Sequence, residues 1–232
     1  MPDIIAFGDS VLKGVVHKNN AYKVSKNSFS SLCEEIFGIS IANKAKFGST
    51  IDAGEKIISK NTELIKESKS KYVIAEFGGN DCDFNWAEIA EKPDKEHYPK
   101  NTVEKFVEIY SRIIDEIRDL GKEPVLLSLP PIDSVRYFDF ISRKINADNI
   151  LKWLEGDRQL ITNWHERYNL EVFKTALNKG VPVIDITSRF LETKNYSKLL
   201  CDDGIHPNEQ GHAMIAETIM EYVKERKIKI TD

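Results

Sequence analysis

Cysteine is scarce in this chain of 232 residues. Cys33, Cys82 and Cys201 are odd in number and have no CxxC spacing, which argues against a disulfide framework and against a zinc site. No apolar run approaches the roughly 18 residues that a membrane span needs. The N-terminus enters a strand-like run without a positive n-region, so neither a signal peptide nor a stable membrane anchor is expected, and the expected location is the cytoplasm. A basic excess is also missing. Lys and Arg total 33 against 37 Asp and Glu, for a formal net charge of -4. The cations are scattered rather than striped, so no nucleic-acid partner is expected. Internal repeats, low-complexity tracts and linkers are absent from the pattern. What remains, 41% hydrophobic and 30% charged residues, suits one compact soluble domain over 1–232.

Five short apolar runs alternate with helix-period segments. The runs are Ile4–Phe7, Ser40–Asn43, Tyr72–Glu76, Pro124–Leu129 and Val181–Ile186. Between them, Phe29, Leu32, Cys33, Ile36 and Phe37 recur at helical spacing and stop at Gly38. A second helix carries Ile51 to Ile65. A third carries Val103 to Ile117, with Asn101 and Glu104 as a reciprocal cap. A long one runs from Arg158 to Asn178 with Leu160, Trp164 and Leu177 on or near its face, and a last one starts near Asn208. A polar loop precedes Phe29, residues 82–100 read as a surface loop, a further polar loop reaches Asp202, and 133–157 read as an excursion over the strand ends holding a short helix. Such βα alternation requires parallel strands with helical crossovers, hence an α/β three-layer sandwich of about five parallel strands. Fold alone does not give function.

Four segments carry candidate chemistry. Gly8-Asp9-Ser10 follows the first run and places a hydroxyl at the carboxyl edge of the sheet. A serine needs a base to become a nucleophile, and His206 is the candidate. Asp203 would orient its imidazole across one turn, with Asp202 as the rival. The Ser10 and Gly48 amides and the Asn80 side chain are candidate oxyanion donors. Each segment also has a plain structural reading. Gly-Asp-Ser caps helices, Asp-Gly makes turns, and an Asn caps a helix well. Asp9 is read as a loop or cap residue. Cys82 is read as a buried inert thiol, and no His spacing suggests a metal site. Asp83, Asn85 and Trp86 extend from the Asn80 loop and are candidate pocket residues, with cover of the sheet edge as the alternative, whereas Trp164-His165 is expected in core packing or at the surface rather than at the site.

In order and strand context, Gly8-Asp9-Ser10, Phe47-Gly48-Ser49, Gly78-Gly79-Asn80-Asp81 and Asp203-Gly204-Ile205-His206-Pro207-Asn208 resemble the SGNH hydrolases, the GDSL esterase/lipase family. Ser10-Val11-Leu12 departs slightly from that family's first block, away from the chemistry. The resemblance implies a flavodoxin-like sandwich and cofactor-free, metal-free serine ester hydrolysis through an acyl-enzyme. The expected partner is a small or water-soluble ester, with an O-acetylated carbohydrate preferred by analogy. A thioesterase, lysophospholipase or acyltransferase would use the same residues. A noncatalytic binding module would keep the fold without needing Ser10, Asn80, Asp203 and His206 together.

Overall fold

The computed structural model describes residues 1–230. The chain begins with β1 (Ile4–Gly8), a short α1 (Ser10–Lys13), a hairpin of β2 (Val15–Lys18) and β3 (Ala21–Val24), then α2 (Phe29–Phe37). Next come β4 (Ile41–Asn43), α3 (Ile51–Ser59), α4 (Thr62–Glu67), β5 (Tyr72–Glu76), α5 (Trp86–Glu91), α6 (Val103–Asp119) and β6 (Glu123–Leu127). The last part holds α7 (Ser134–Ile141), α8 (Ala147–Trp153), α9 (Gln159–Lys179), β7 (Val183–Ile184), α10 (Ile186–Leu191) and α11 (Glu209–Glu225).

The main sheet has five strands in the order β4-β1-β5-β6-β7, all paired in parallel. Alternation along β1 sends Ile5 and Phe7 to one face and Ala6 to the other. On the first face α3, α6 and α9 close a core around Phe77, Phe106, Tyr110 and Val172. On the second, α2, α10 and α11 cover Val125, Leu127 and Ile184. This is the expected three-layer α/β/α sandwich. In α6 the stripe Phe106, Ile109, Tyr110, Ile113, Ile114 and Ile117 is buried. Each such side chain contributes about 1.5–3 kcal/mol relative to exposure.

Several local expectations are corrected. The cap of α6 is Thr102, whose side chain accepts from the Lys105 amide. Asn101 is buried instead and donates to Asp81 (2.7 Å) and Asp52 (2.8 Å), so the Asn101–Glu104 cap does not form. Leu177 is exposed, because the packed face of α9 runs through Tyr168, Val172 and Ala176. Residues 14–28 contain the antiparallel hairpin rather than a plain loop. Its two-residue turn places Asn19 and Asn20 at φ 53° and 58°, the pair of positive angles that a type I′ turn needs. The 82–100 and 187–201 loops contain α5 and most of α10. The 133–157 excursion folds into α7 and α8. They join α5 and the start of α9 in a satellite core of Phe84, Trp86, Ile89, Ile132, Phe138, Ile150 and Leu154.

Candidate active site

Strand order reverses at β1, with β4 on one side and β5 on the other. A crevice outside the carboxyl ends of such strands is where open α/β sheets bind ligands. The loops leaving β1, β4 and β5 carry Ser10, Gly48 and Asn80. The turn that holds Ser10 depends on Gly8. A Cβ there would sit 2.7 Å from the Glu76 carbonyl oxygen, so only glycine lets β1 lie this close to β5. Asp9 then caps α1, its Oδ1 accepting from the Val11 amide at 2.8 Å.

The loop before α11 reaches back over 196 residues to meet Ser10. A bridge between Leu200 and Pro207 and a bond from the Cys201 amide to the His206 carbonyl (2.8 Å) close it. His206 Nδ1 is 2.7 Å from Asp203 Oδ2, and Nε2 is 2.8 Å from Ser10 Oγ. The carboxylate can only accept, so Nδ1–H donates to Asp203 and Nε2 is left to accept from the Ser10 hydroxyl. The Asp203 Oδ1 also accepts from the Ile205 and His206 amides. Burial opposes the Asp203 charge. The hydrogen bond from the His206 ring, with those two amides, outweighs it, so the carboxyl is held below its ordinary value. Asp202 is exposed and makes no bond to the imidazole.

Neither the Ser10 amide nor the Gly48 amide donates to an acceptor among the described residues. Gly48 stands at φ 70°, a left-handed angle that a side chain would strain. No atom lies within 4 Å of where a Cβ would be, so conformation and not crowding calls for glycine. Asn80 spends one Nδ2 hydrogen on Asp9 Oδ2 at 2.9 Å, which leaves the other N–H to donate elsewhere. Asp9 thus ties the Ser10 turn to Asn80. Beneath them Glu76 is fully buried, its Oε2 accepting from the Asp9 and Leu12 amides at 3.4 Å. Burial, and then the neighbouring Asp9 charge, push the Glu76 carboxyl well above its usual value. Asp9 is raised too, by burial first. We read the pair as a neutral Glu76 beneath Asp9.

A cavity of about 130 Å³ opens over Ser10, Gly48, Asn80 and His206. Of the expected pocket residues, Asp83 and Trp86 line it. Asn85 does not. It is exposed and caps α5 by accepting from the Glu88 amide. Trp164 and His165 reach the wall from α9. Cys82 also lines it, but its thiol donates to the Gly79 carbonyl and burial pushes its pKa well up. The wall includes Phe47 of the Gly48 motif and the aromatics Phe84 and Tyr137, together with Tyr22 and Glu76, which motif reasoning did not single out. Of those two, only Glu76 left a sequence signal, as a charge ending an otherwise apolar strand.

The family model for the GDSL-like Lipase/Acylhydrolase family matches residues 6–214. An uncharacterized protein of Bacillus subtilis (strain 168), YpmR, is 25% identical over 231 residues, spanning 95% of this chain and 81% of that protein. The crystal structure of a lipase/acylhydrolase from Enterococcus faecalis superposes with a TM-score of 0.68 at 21% identity, covering 100% of both chains. An acetyl-xylooligosaccharide esterase from a Geobacillus gives a TM-score of 0.64 at 15% identity, over 99% of this chain and 95% of that one. These solved structures carry the same fold, and the match along most of the sequence places the chain in the GDSL-like lipase/acylhydrolase family of hydrolases.

Proposed function

We propose that the protein is a serine esterase acting through an acyl-enzyme on a small, water-soluble ester. The observation that carries this is the continuous hydrogen-bonded line from Asp203 through His206 to Ser10, with separations of 2.7 and 2.8 Å. Ser10 Oγ attacks the ester carbonyl as His206 Nε2 takes its proton. Asp203 stabilises the imidazolium that forms. The negative charge that develops on the carbonyl oxygen is met by the Ser10 and Gly48 amides and by the free N–H of Asn80. His206 then returns the proton to the departing alcohol oxygen as the C–O bond breaks. Water, activated by the same nitrogen, adds to the acyl-enzyme and releases the acid.

The cavity volume of about 130 Å³ favours a short acyl group, since sites for drug-sized ligands run from about 300 Å³. An O-acetylated carbohydrate is the preferred substrate. The small cavity and the fold shared with an acetyl-xylooligosaccharide esterase support that preference. Among the described residues no helix is long and apolar enough to cross a membrane. The test is Ser10→Ala, assayed with p-nitrophenyl acetate and a fluorophosphonate probe. Turnover and labelling both disappear from a folded variant if the reading holds. Wild-type turnover by that variant would remove Ser10 as nucleophile.

A further inference from the structure

The His206 imidazole has aromatic neighbours that acyl transfer does not require. Tyr22 of β3 meets it edge-on with ring centres 5.3 Å apart. Phe47, before Gly48, lies nearly parallel to it at 6.0 Å and 12°. The two rings touch each other at 5.0 Å. Both line the cavity, yet Tyr22 is 41% and Phe47 52% exposed. Adjoining exposed rings at the mouth of a site form an apolar surface of the kind that marks a ligand contact.

Tyr22 is held in place from behind. It faces His17 in the hairpin register, with ring centres 4.8 Å apart. His17 packs edge-on against Phe140 of α7 at 5.1 Å. The Arg143 guanidinium lies 5.0 Å from the Phe140 ring and donates to Asn20 in the hairpin turn. The His17 amide donates to Cys201 Sγ, in the loop that carries Asp203 and His206. The hairpin is therefore docked to the same segments that position the imidazole.

The proposed reaction decides which part of an ester these rings meet. The nitrogen that takes the Ser10 proton must give it to the departing oxygen, which therefore comes within about 3 Å of Nε2. The rest of the alcohol starts beside the imidazole, whose aromatic neighbours are Tyr22 and Phe47. We propose that Tyr22 and Phe47 form a leaving-alcohol subsite that favours esters whose alcohol presents a flat apolar face, as a sugar ring or an arene does. The inference rests on the ester-hydrolase reading and specifies which half of the substrate the exposed rings select.

The experiment compares kcat/KM for phenyl acetate, an O-acetylated methyl xyloside and methyl acetate, which share one acyl group. The variants are Tyr22→Ala, Phe47→Ala and Phe47→Leu. Loss of a ring contact should lower the ratio of ring-bearing ester to methyl acetate by about 3- to 10-fold in each alanine variant. Phe47→Leu, which keeps apolar bulk without a flat ring, should fall between wild type and Phe47→Ala. The ratio that drops further, phenyl or xyloside, identifies the alcohol. Ratios unchanged from wild type overturn the subsite, whether or not absolute rates fall, because a ring that only braces His206 slows all three esters alike. Ser10→Ala separates the two claims. Turnover surviving in that variant overturns the Ser10 acyl-enzyme on which the subsite rests, whereas turnover lost there with unchanged ratios overturns the alcohol subsite alone.

Discussion

The two walls of the site are built by opposite means. One is the satellite core made by α5, α7, α8 and the start of α9. There Phe84 and Trp86 are buried, and Asp83 ties the wall together. That carboxylate accepts from Trp86 Nε1 (2.7 Å), the Tyr137 hydroxyl (2.8 Å) and Lys100 Nζ (2.9 Å). The other wall is the β2–β3 hairpin with Phe47. All four residues of β3 are exposed, and tilted ring contacts join Tyr22 to His17 and Phe47. An isolated two-stranded hairpin is marginal in water, so its order comes from docking against α7 and the Cys201 loop. Directed bonds thus fix one wall before substrate arrives, while the other offers surface that substrate itself can cover.

The largest expected effect lies between the walls. Asn80→Ala should cost about 100- to 1,000-fold in kcat, as loss of one oxyanion donor does. Circular dichroism should show the fold intact, and a loss below fivefold would take Asn80 out of that role. Asp83→Ala should come next. It strands the Trp86 and Tyr137 donors and should lower urea stability by about 2–3 kcal/mol, against less than about 1 for Tyr22→Ala. Equal losses in the two variants would break the contrast between the walls. A third test reaches the floor beneath them. The folded protein holds a proton on Glu76 that an unfolded chain releases, so that stability is full below the ordinary carboxyl range and is lost as pH rises through the raised folded value. Glu76→Gln has no such proton to lose. Its urea midpoint should decline less than wild type between about pH 5 and about pH 8, and an equal decline would show that Glu76 is not held neutral. The smallest effect belongs to the hairpin turn. Asn20 already stands at φ 58°, so Asn20→Gly should shift stability by less than about 0.5 kcal/mol. A loss above 1 kcal/mol would mean that the Arg143–Asn20 bond, rather than the turn, holds this wall.

The main sheet was legible because short apolar runs recur between helix-period segments, as in β1, which is buried throughout and ends at Gly8. Ser10, Gly48 and Asn80 follow the first three runs, and the order of the four motifs added the distant Asp203 and His206. The hairpin was not legible. Val15-Val16-His17-Lys18 and Ala21-Tyr22-Lys23-Val24 lack the alternation of a half-buried strand, and Asn19-Asn20 is a weaker turn signal than Asn-Gly. Asn101 and Asn85 show a different obstacle. Both precede helices and both could cap. Asn85 does so, but Asn101 is drawn inward by Asp81 and Asp52, carboxylates supplied from elsewhere in the chain. Local spacing contains no record of such long-range competition. For the same reason Phe47 and Tyr22 could not be connected to His206 before the chain was folded.

The reach from Ser10 to His206 also ties activity to one late-folding contact. The serine and its base are 196 residues apart. A nascent chain that stops short of the Cys201–Pro207 loop can pair β1, β4, β5 and β6 and still hold an inert hydroxyl. In the finished protein, unzipping that loop from the hairpin would silence Ser10 while the sheet stayed paired. Turnover is then a reporter for the docking of the Cys201–Pro207 loop, and under mild denaturant it should vanish before the signal from the central strands does.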